Sequence, residues 1–223
     1  MSSPLEALQV LGKGEQVVTP TLRHLELFTM KGLLTLLWHG DPTAEDVVVA
    51  VGGAMGGTLG PGGGLYHELG EELAADGKAL IRVGYRRPND LDACVHDTVA
   101  AAELASRRGA ERYITMGHSF GGAVALQAGV ILSSLCAGVV TFATQSAGCE
   151  DGDQLRAPLL MFHGDKDEIL PLLASETVRM IVGHGELVVL PGCGHLMAES
   201  RDEMHERLRT WLPEKFTQLT SGG

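Results

Sequence analysis

The stretch Met116-Gly117-His118-Ser119-Phe120-Gly121-Gly122 constrains this chain more than any other. A short apolar run, Tyr113-Ile114-Thr115-Met116, leads into it, and a helix of small residues, Gly121 through Ile131, leads out. A strand, G-x-S-x-G and a helix in that order make a turn tight enough to hold the serine in a strained conformation, its hydroxyl lifted clear of the sheet edge. Gly117 and Gly121 are needed because a side chain at either place would meet the neighbouring strand or helix. A glycine-rich loop that merely contains a serine would show the same five letters. The reading therefore depends on whether partners for such a serine follow in the chain.

The surrounding pattern is that of a layered α/β domain. Asp46 to Val51, Lys78 to Gly84, Cys136 to Phe142 and Pro158 to Phe162 are short, nearly continuous apolar runs, suited to strands covered on both faces. Glu186 to Leu190 reads as a last strand. Between them lie helical segments: Leu65 to Asp76 with Gly77 as a stop, a segment capped by Asn89 or Asp90 and closed by Gly109, and Pro171 to Val182. The closing helix spans residues 200–216, where Met204, Leu208, Leu212 and Phe216 share one face. Such alternation implies a mostly parallel central sheet with helices on both faces. Leu22 to Phe28 and Leu33 to Trp38, joined at Met30-Lys31-Gly32, add an antiparallel hairpin at the N-terminal edge. Leu5, Leu8 and Leu11 suggest one or two helical turns ended by Gly12 and Gly14. With no repeat, linker or low-complexity segment, residues 1–223 are expected to form one domain.

Charge narrows the partners. A formal net charge of −11 argues against a nucleic-acid surface or an anionic membrane, each of which needs clustered Lys and Arg. No signal peptide is expected from Met1-Ser2-Ser3-Pro4-Leu5-Glu6, and no apolar stretch is long enough to cross a bilayer. Cys94, Cys136, Cys149 and Cys193 form no C-x-x-C pair, which predicts reduced, buried thiols in a cytoplasmic protein; a Cys149–Cys193 disulfide is the alternative.

A serine hydroxyl needs an adjacent base, itself oriented by a third group. His195 lies in Pro191-Gly192-Cys193-Gly194-His195-Leu196, between the last strand and the last helix, where a loop can bring an imidazole over the serine. The carboxylate should follow the preceding strand, in His163-Gly164-Asp165-Lys166-Asp167-Glu168-Ile169-Leu170-Pro171. Asp167 is the first choice and Asp165 the second; Asp165 can instead tie the turn together through backbone N–H groups. Lys166 and Glu168 read as solvated. Arg86 and Arg87 are read as a solvated pair near a turn, with a substrate carboxylate as the other possibility. Neither a P-loop nor a dinucleotide fingerprint matches the glycine-rich Gly52 to Gly64, and no spacing supports zinc at His163, Asp165 and His195. No cofactor or metal is expected.

The order Ser119, Asp167, His195, with the serine on a strand-to-helix turn, resembles the α/β-hydrolase superfamily. G-H-S-F-G-G, H-G-D-K-D-E-I-L-P and the G-C-G-H loop carry the likeness, which runs from the Asp46 strand to the closing helix. It is nearest to the small, capless members grouped with dienelactone hydrolases and carboxylesterases. Dienelactone hydrolases proper use a cysteine nucleophile, where this chain has Ser119. The resemblance implies an oxyanion hole made by the backbone N–H of Phe120 and of Ala54, with Met55 as the alternative to Ala54. It also implies that His118 packs or bonds locally and is not the base; His163, from its own place in the chain, is expected to anchor the turn of Asp167.

In this fold a helical cap is often inserted before the strand that bears the acid. Here that interval, Ala143 to Ala157, is too short and polar to build one. An open, shallow pocket lined by Met55, Phe120, Ile169, Leu170, Leu196 and Met197 is expected, suited to a small-molecule ester with a short acyl chain. The activity implied is a serine hydrolase working through an acyl-enzyme. A thioesterase or acyl-peptide hydrolase would use the same residues, and a non-catalytic binding module on the same fold is the reading from a different class. A dehalogenase would want a carboxylate at position 119.

Overall fold

Strand β4 (Asp46–Val51) explains the layering of the whole molecule. Its side chains alternate between two apolar cores, with Val47, Val49 and Val51 entering one and Val48 and Ala50 the other. A strand wanted by water on neither face reads as an unbroken apolar run. The computed structural model describes residues 3–221. Around β4 the sheet contains β1 (Val10–Val17), β2 (Leu22–Thr29), β3 (Gly32–His39), β5 (Ala79–Gly84), β6 (Arg112–His118), β7 (Cys136–Phe142), β8 (Leu159–Gly164) and β9 (Glu186–Leu190). Their spatial order is β1-β2-β3-β5-β4-β6-β7-β8-β9. From β5 to β9 neighbours are parallel, whereas β1, β2 and β3 run antiparallel to their neighbours, with β3 antiparallel to β5.

One face of the sheet is covered by α2 (Leu65–Ala75) and α6 (Arg201–Ser221), the other by α3 (Leu91–Ser106), α4 (Phe120–Leu132) and α5 (Leu172–Val182). Met204, Leu208, Leu212 and Phe216 of α6 are all buried in the core shared with α2, as their spacing predicts. The helix continues through Pro213 to Ser221, beyond the expected end at 216. Asp90, not Asn89, caps α3: its Oδ1 accepts the Ala93 amide at 3.1 Å. All four cysteines are buried and free, with Cys136 and Cys149 pushed up to about 12 by burial.

The N-terminal segment differs from expectation. Only Pro4–Ala7 is helical in this segment (α1), opened by a capping box between Ser3 and Glu6. Residues 10–17 form an edge strand, which turns the expected hairpin into a three-stranded ribbon. The periodicity of β1 is invisible because Gly12 and Gly14 lie beneath the Phe28 ring and because the strand is largely exposed.

Two features position the site. The chain leaves β4 for β5 on one side and returns to β6 on the other, so the loops after β4 and β6 diverge and leave a crevice at the carboxyl ends of the strands. After β7 a single short turn of 3-10 helix (Glu150–Gln154) precedes β8, so nothing in this interval roofs the crevice.

Arg86 corrects the expectation of a solvated or substrate-facing pair. Its side chain is buried, with Nε donating to Asp97 Oδ1 at 2.5 Å, while its amide donates to Asp97 Oδ2 at 2.9 Å. Arg87 is exposed, 3.5 Å from Asp90. Burial pushes the Asp97 carboxyl above its ordinary range despite the bonds from Arg86, so desolvation consumes much of what the pair gains. Asp97→Ala should therefore cost about 3–5 kcal/mol in urea unfolding by stranding a buried guanidinium, whereas Arg86→Met with Asp97→Leu should recover most of that loss.

Candidate active site

Ser119 sits between β6 and α4 at φ 58°, ψ −122°, a conformation that costs a non-glycine residue strain. The strain is held by close backbone packing. A Cβ at Gly117 would strike the Gly121 carbonyl, and one at Gly121 would strike the carbonyl of Gly52 at the end of β4. The Ser119 amide donates to the Phe142 carbonyl at 2.8 Å, fastening the turn to β7.

Asp167 lies three residues past β8, its side chain fully buried. Its Oδ2 accepts a hydrogen bond from His195 Nδ1 at 2.7 Å, and its Oδ1 accepts the amides of Ile169 and Leu170, each at 2.8 Å. Burial acts to raise the carboxyl's pKa, but the bonds from His195, Leu170 and Ile169 outweigh it and hold the group below its ordinary range. The ring of His195 therefore carries its proton on Nδ1 in the neutral state, leaving Nε2 as a base.

The acid and histidine loops are stitched together by main chain. Lys166 N donates to Cys193 O at 3.0 Å, Asp165 N to Leu190 O at 3.1 Å, and Gly192 N to Asp165 Oδ1 at 2.7 Å. Asp165 thus braces the loops while Asp167 meets the histidine. His163, fully buried, accepts the Ser175 hydroxyl on Nδ1 at 2.7 Å and donates from Nε2 to Leu170 O at 3.0 Å, supporting the Asp167 turn from below. With these side chains so engaged, His163, Asp165 and His195 do not converge on a common point for zinc.

His118 joins the serine turn to the histidine loop: its Nε2 donates to the His195 carbonyl at 2.9 Å, and the two imidazole centroids are 4.9 Å apart. Burial lowers its pKa, an effect that this bond partly offsets. Among the described residues no hydrogen bond joins the Ser119 hydroxyl to His195. Such contacts in unliganded enzymes are commonly long and tighten when substrate binds.

The loop after β4 folds over the serine. Gly56 N donates to Gly53 O at 2.9 Å, making a turn with Ala54 and Met55 at its corners, and a Cβ on Gly53 would lie 3.7 Å from Ser119 Cβ. Ala54 is half-buried against the core, while Met55 is 95% exposed. Phe120 opens α4, so its amide has no acceptor within the helix. Two buried phenols support this region: Tyr66 donates to Val51 O at 3.1 Å and Tyr85 to Gly52 O at 3.2 Å. Tyr85 also meets the Phe120 ring edge-on, with centroids 6.4 Å apart.

The six residues expected to line the pocket separate into groups. Phe120 and Met197 are buried, the first against Tyr85 and the second in the core beneath α6, so neither presents a surface. Met55, Ile169 and Leu196 are largely exposed. Leu170 lines an open groove of about 420 Å³ whose walls are Gln145, Ser146 and Ala147 after β7 and Leu173 and Thr177 on α5. The groove wall was legible in part: Leu173 is apolar yet lies off the face of α5 that buries Ser175, Val178 and Val182. Nothing in the sequence marked Tyr66 and Tyr85 as supports.

Residues 89–211 match the model of a family described as phospholipase/carboxylesterase. An acyl-protein thioesterase 1 from Gibberella zeae is 29% identical over 160 residues, covering 65% of this chain and 67% of that protein. Among solved structures, Est1E from Butyrivibrio proteoclasticus superposes with a TM-score of 0.75 at 14% identity, covering 87% of this chain and 99% of its own. A dienelactone hydrolase from Anabaena variabilis gives 0.73 at 16% identity, covering 91% and 98%. The fold is that of the α/β hydrolases. Among the described residues, no helix is long and apolar enough to cross a membrane.

The buried His118 has a consequence for stability. Its folded pKa lies below the ordinary 6.5, so on acidification the unfolded chain takes up the proton first. Its contribution is therefore present above about pH 6.5 and is lost as pH falls toward the folded value. Unfolding free energy measured between pH 7.5 and 5 should fall, and the slope should be shallower in His118→Gln.

Proposed function

The chain belongs to the phospholipase/carboxylesterase family of hydrolases, and from that premise we propose that it is a serine hydrolase cleaving carboxylic esters of short acyl chains through an acyl-enzyme. The observation that carries the proposal is the 2.7 Å bond between His195 and a buried, ionised Asp167, on loops tied to the strained turn of Ser119. In this reading Ser119 Oγ attacks the acyl carbon while His195 Nε2 takes its proton. The oxyanion that forms is met by the amides of Phe120 and Ala54. Collapse breaks the bond to the leaving oxygen, which receives the proton from His195. Water, deprotonated by His195, then attacks the acyl-enzyme, and the acid leaves as Ser119 recovers its proton. Asp167 holds the imidazole in the required tautomer and stabilises its charged form.

Ala54 is favoured over Met55 as the second donor because Gly53, its neighbour, packs against Ser119 while the Met55 side chain projects into solvent. Donors of this kind are worth roughly 3 kcal/mol each when aimed at the developing charge. The groove beside Leu170 is open to solvent and so does not enclose a long chain, which supports a short acyl group. A thioester substrate is the second reading, favoured by the similarity to the acyl-protein thioesterase of Gibberella zeae. The same charge movements serve both leaving groups.

Two measurements test the proposal. A fluorophosphonate probe should label the wild type at Ser119 and leave Ser119→Ala unlabelled, with kcat for an activated ester falling in the variant by on the order of 10⁴-fold or more. An unlabelled wild type would instead favour a binding module. Across p-nitrophenyl esters, acetate and butyrate should be cleaved with higher kcat/KM than palmitate; the reverse order would overturn the short-chain assignment.

A further inference from the structure

Away from the serine, two imidazoles and a carboxylate converge on the flank of the sheet. His39 ends β3, and His67 and Glu71 stand one helical turn apart on the same face of α2. One ligand atom from each can be chosen such that all lie within 4.8 Å of one another. His39 Nδ1 is already 2.8 Å from Glu71 Oε1, and the other carboxylate oxygen of Glu71 accepts the Thr21 hydroxyl at 2.7 Å.

The cluster has the features of a built site. Gly70, in the interior of α2, is an unfavourable helix residue, and a Cβ there would come within 2.5 Å of His39 Cγ. The glycine lets the imidazole lie flat against the helix backbone. That ring is fully buried, yet its Nε2 has no hydrogen-bond partner. Thr21 fixes the carboxylate from behind, as groups outside the ligand set do in metal centres.

We propose that His39, His67 and Glu71 bind one divalent transition-metal ion, of which Zn²⁺ is the one that two imidazoles and a carboxylate suit best. The donor is His39 Nδ1, the nitrogen that faces Glu71, and its proton moves to Nε2 when the ion binds. His67 is exposed and closes the remaining distance by turning its side chain, and the open side leaves a fourth position for water. The Arg82 guanidinium lies close enough to act on His39, and the Glu71 carboxylate supplies the negative charge on the other side of the ring. Glu71 is held in place by its bonds to Thr21 and His39 and offsets the charge of Arg82. The bound ion would clasp β3 to α2 and shares no ligand with Ser119, Asp167 or His195.

The test is a Zn²⁺ titration of the chelator-stripped full chain in competition with a chromophoric chelator. Wild-type protein should take up one equivalent, and His67→Ala and Glu71→Gln should each bind at least tenfold more weakly while keeping the wild-type circular dichroism. At a hundredfold excess over Kd, Zn²⁺ should also raise the wild-type Tm by about 5–10 °C. No uptake by the wild type, or wild-type affinity in either variant, overturns the site and leaves His39 and Glu71 as a hydrogen-bonded pair.

Discussion

The structure depends on an approach of three backbones with no side chains between them. At the carboxyl end of the sheet, β4 and β6 are in register from Asp46↔Arg112 to Val51↔Gly117, which brings Gly52 against the first turn of α4. Gly117 and Gly121 clear the passage from strand to helix, and Gly122 clears the Thr144 side chain after β7. A single added methyl at any of these places would meet a carbonyl or a hydroxyl within the core. The position of Ser119, the amide of Phe120 and the Gly53–Gly56 turn are therefore one mechanical unit, defined by sheet register rather than by loop conformation. Such rigidity allows strain at Ser119 to persist, because the surroundings over-determine it.

A second unit, the acid and histidine loops, is built on the same principle. Main-chain bonds from Asp165 and Lys166 to Leu190 and Cys193 join the two loops, and Gly164 is packed against the Cys193 carbonyl. His118 links this unit to the first, by a bond to a carbonyl instead of to a side chain. The imidazole of His195 thus inherits its place from backbone on both sides. Among the described residues, Asp167 alone hydrogen-bonds the ring through a side chain, and that side chain is itself held by two amides.

Legibility in the sequence followed from how far each feature depends on distant residues. The buried strands could be read because covering both faces removes polar residues from β4, and the helix α6 because one face repeats through Phe216. The G-H-S-F-G turn and the H-G-D-K-D loop could be read because each is built within a few residues of itself. β1 could not, since the apolar partner that covers it is Phe28, supplied by the next strand over two glycines. Arg86 could not, because its partner Asp97 lies inside α3 among Val95 and Val99 and reads as a polar interruption of an apolar face. The exposure of the expected pocket residues was likewise unreadable: Met197 adopts φ 57°, and its side chain turns into the core.

These two units leave the groove beside them comparatively unconstrained. The groove at Leu170 is walled by Gln145–Ala147 and by one exposed face of α5, neither of which takes part in the bonds that hold Ser119, Asp167 and His195. The segment between β7 and β8 that supplies Gln145–Ala147 is short, with one 3-10 turn before β8. A longer insertion at that point would raise a wall over the groove without disturbing the sheet register or the stitched loops, because the segment leaves and rejoins the sheet at adjacent parallel strands. In this architecture the placing of Ser119, Asp167 and His195 is set by backbone approach and the groove wall by one connection, so the two can vary independently.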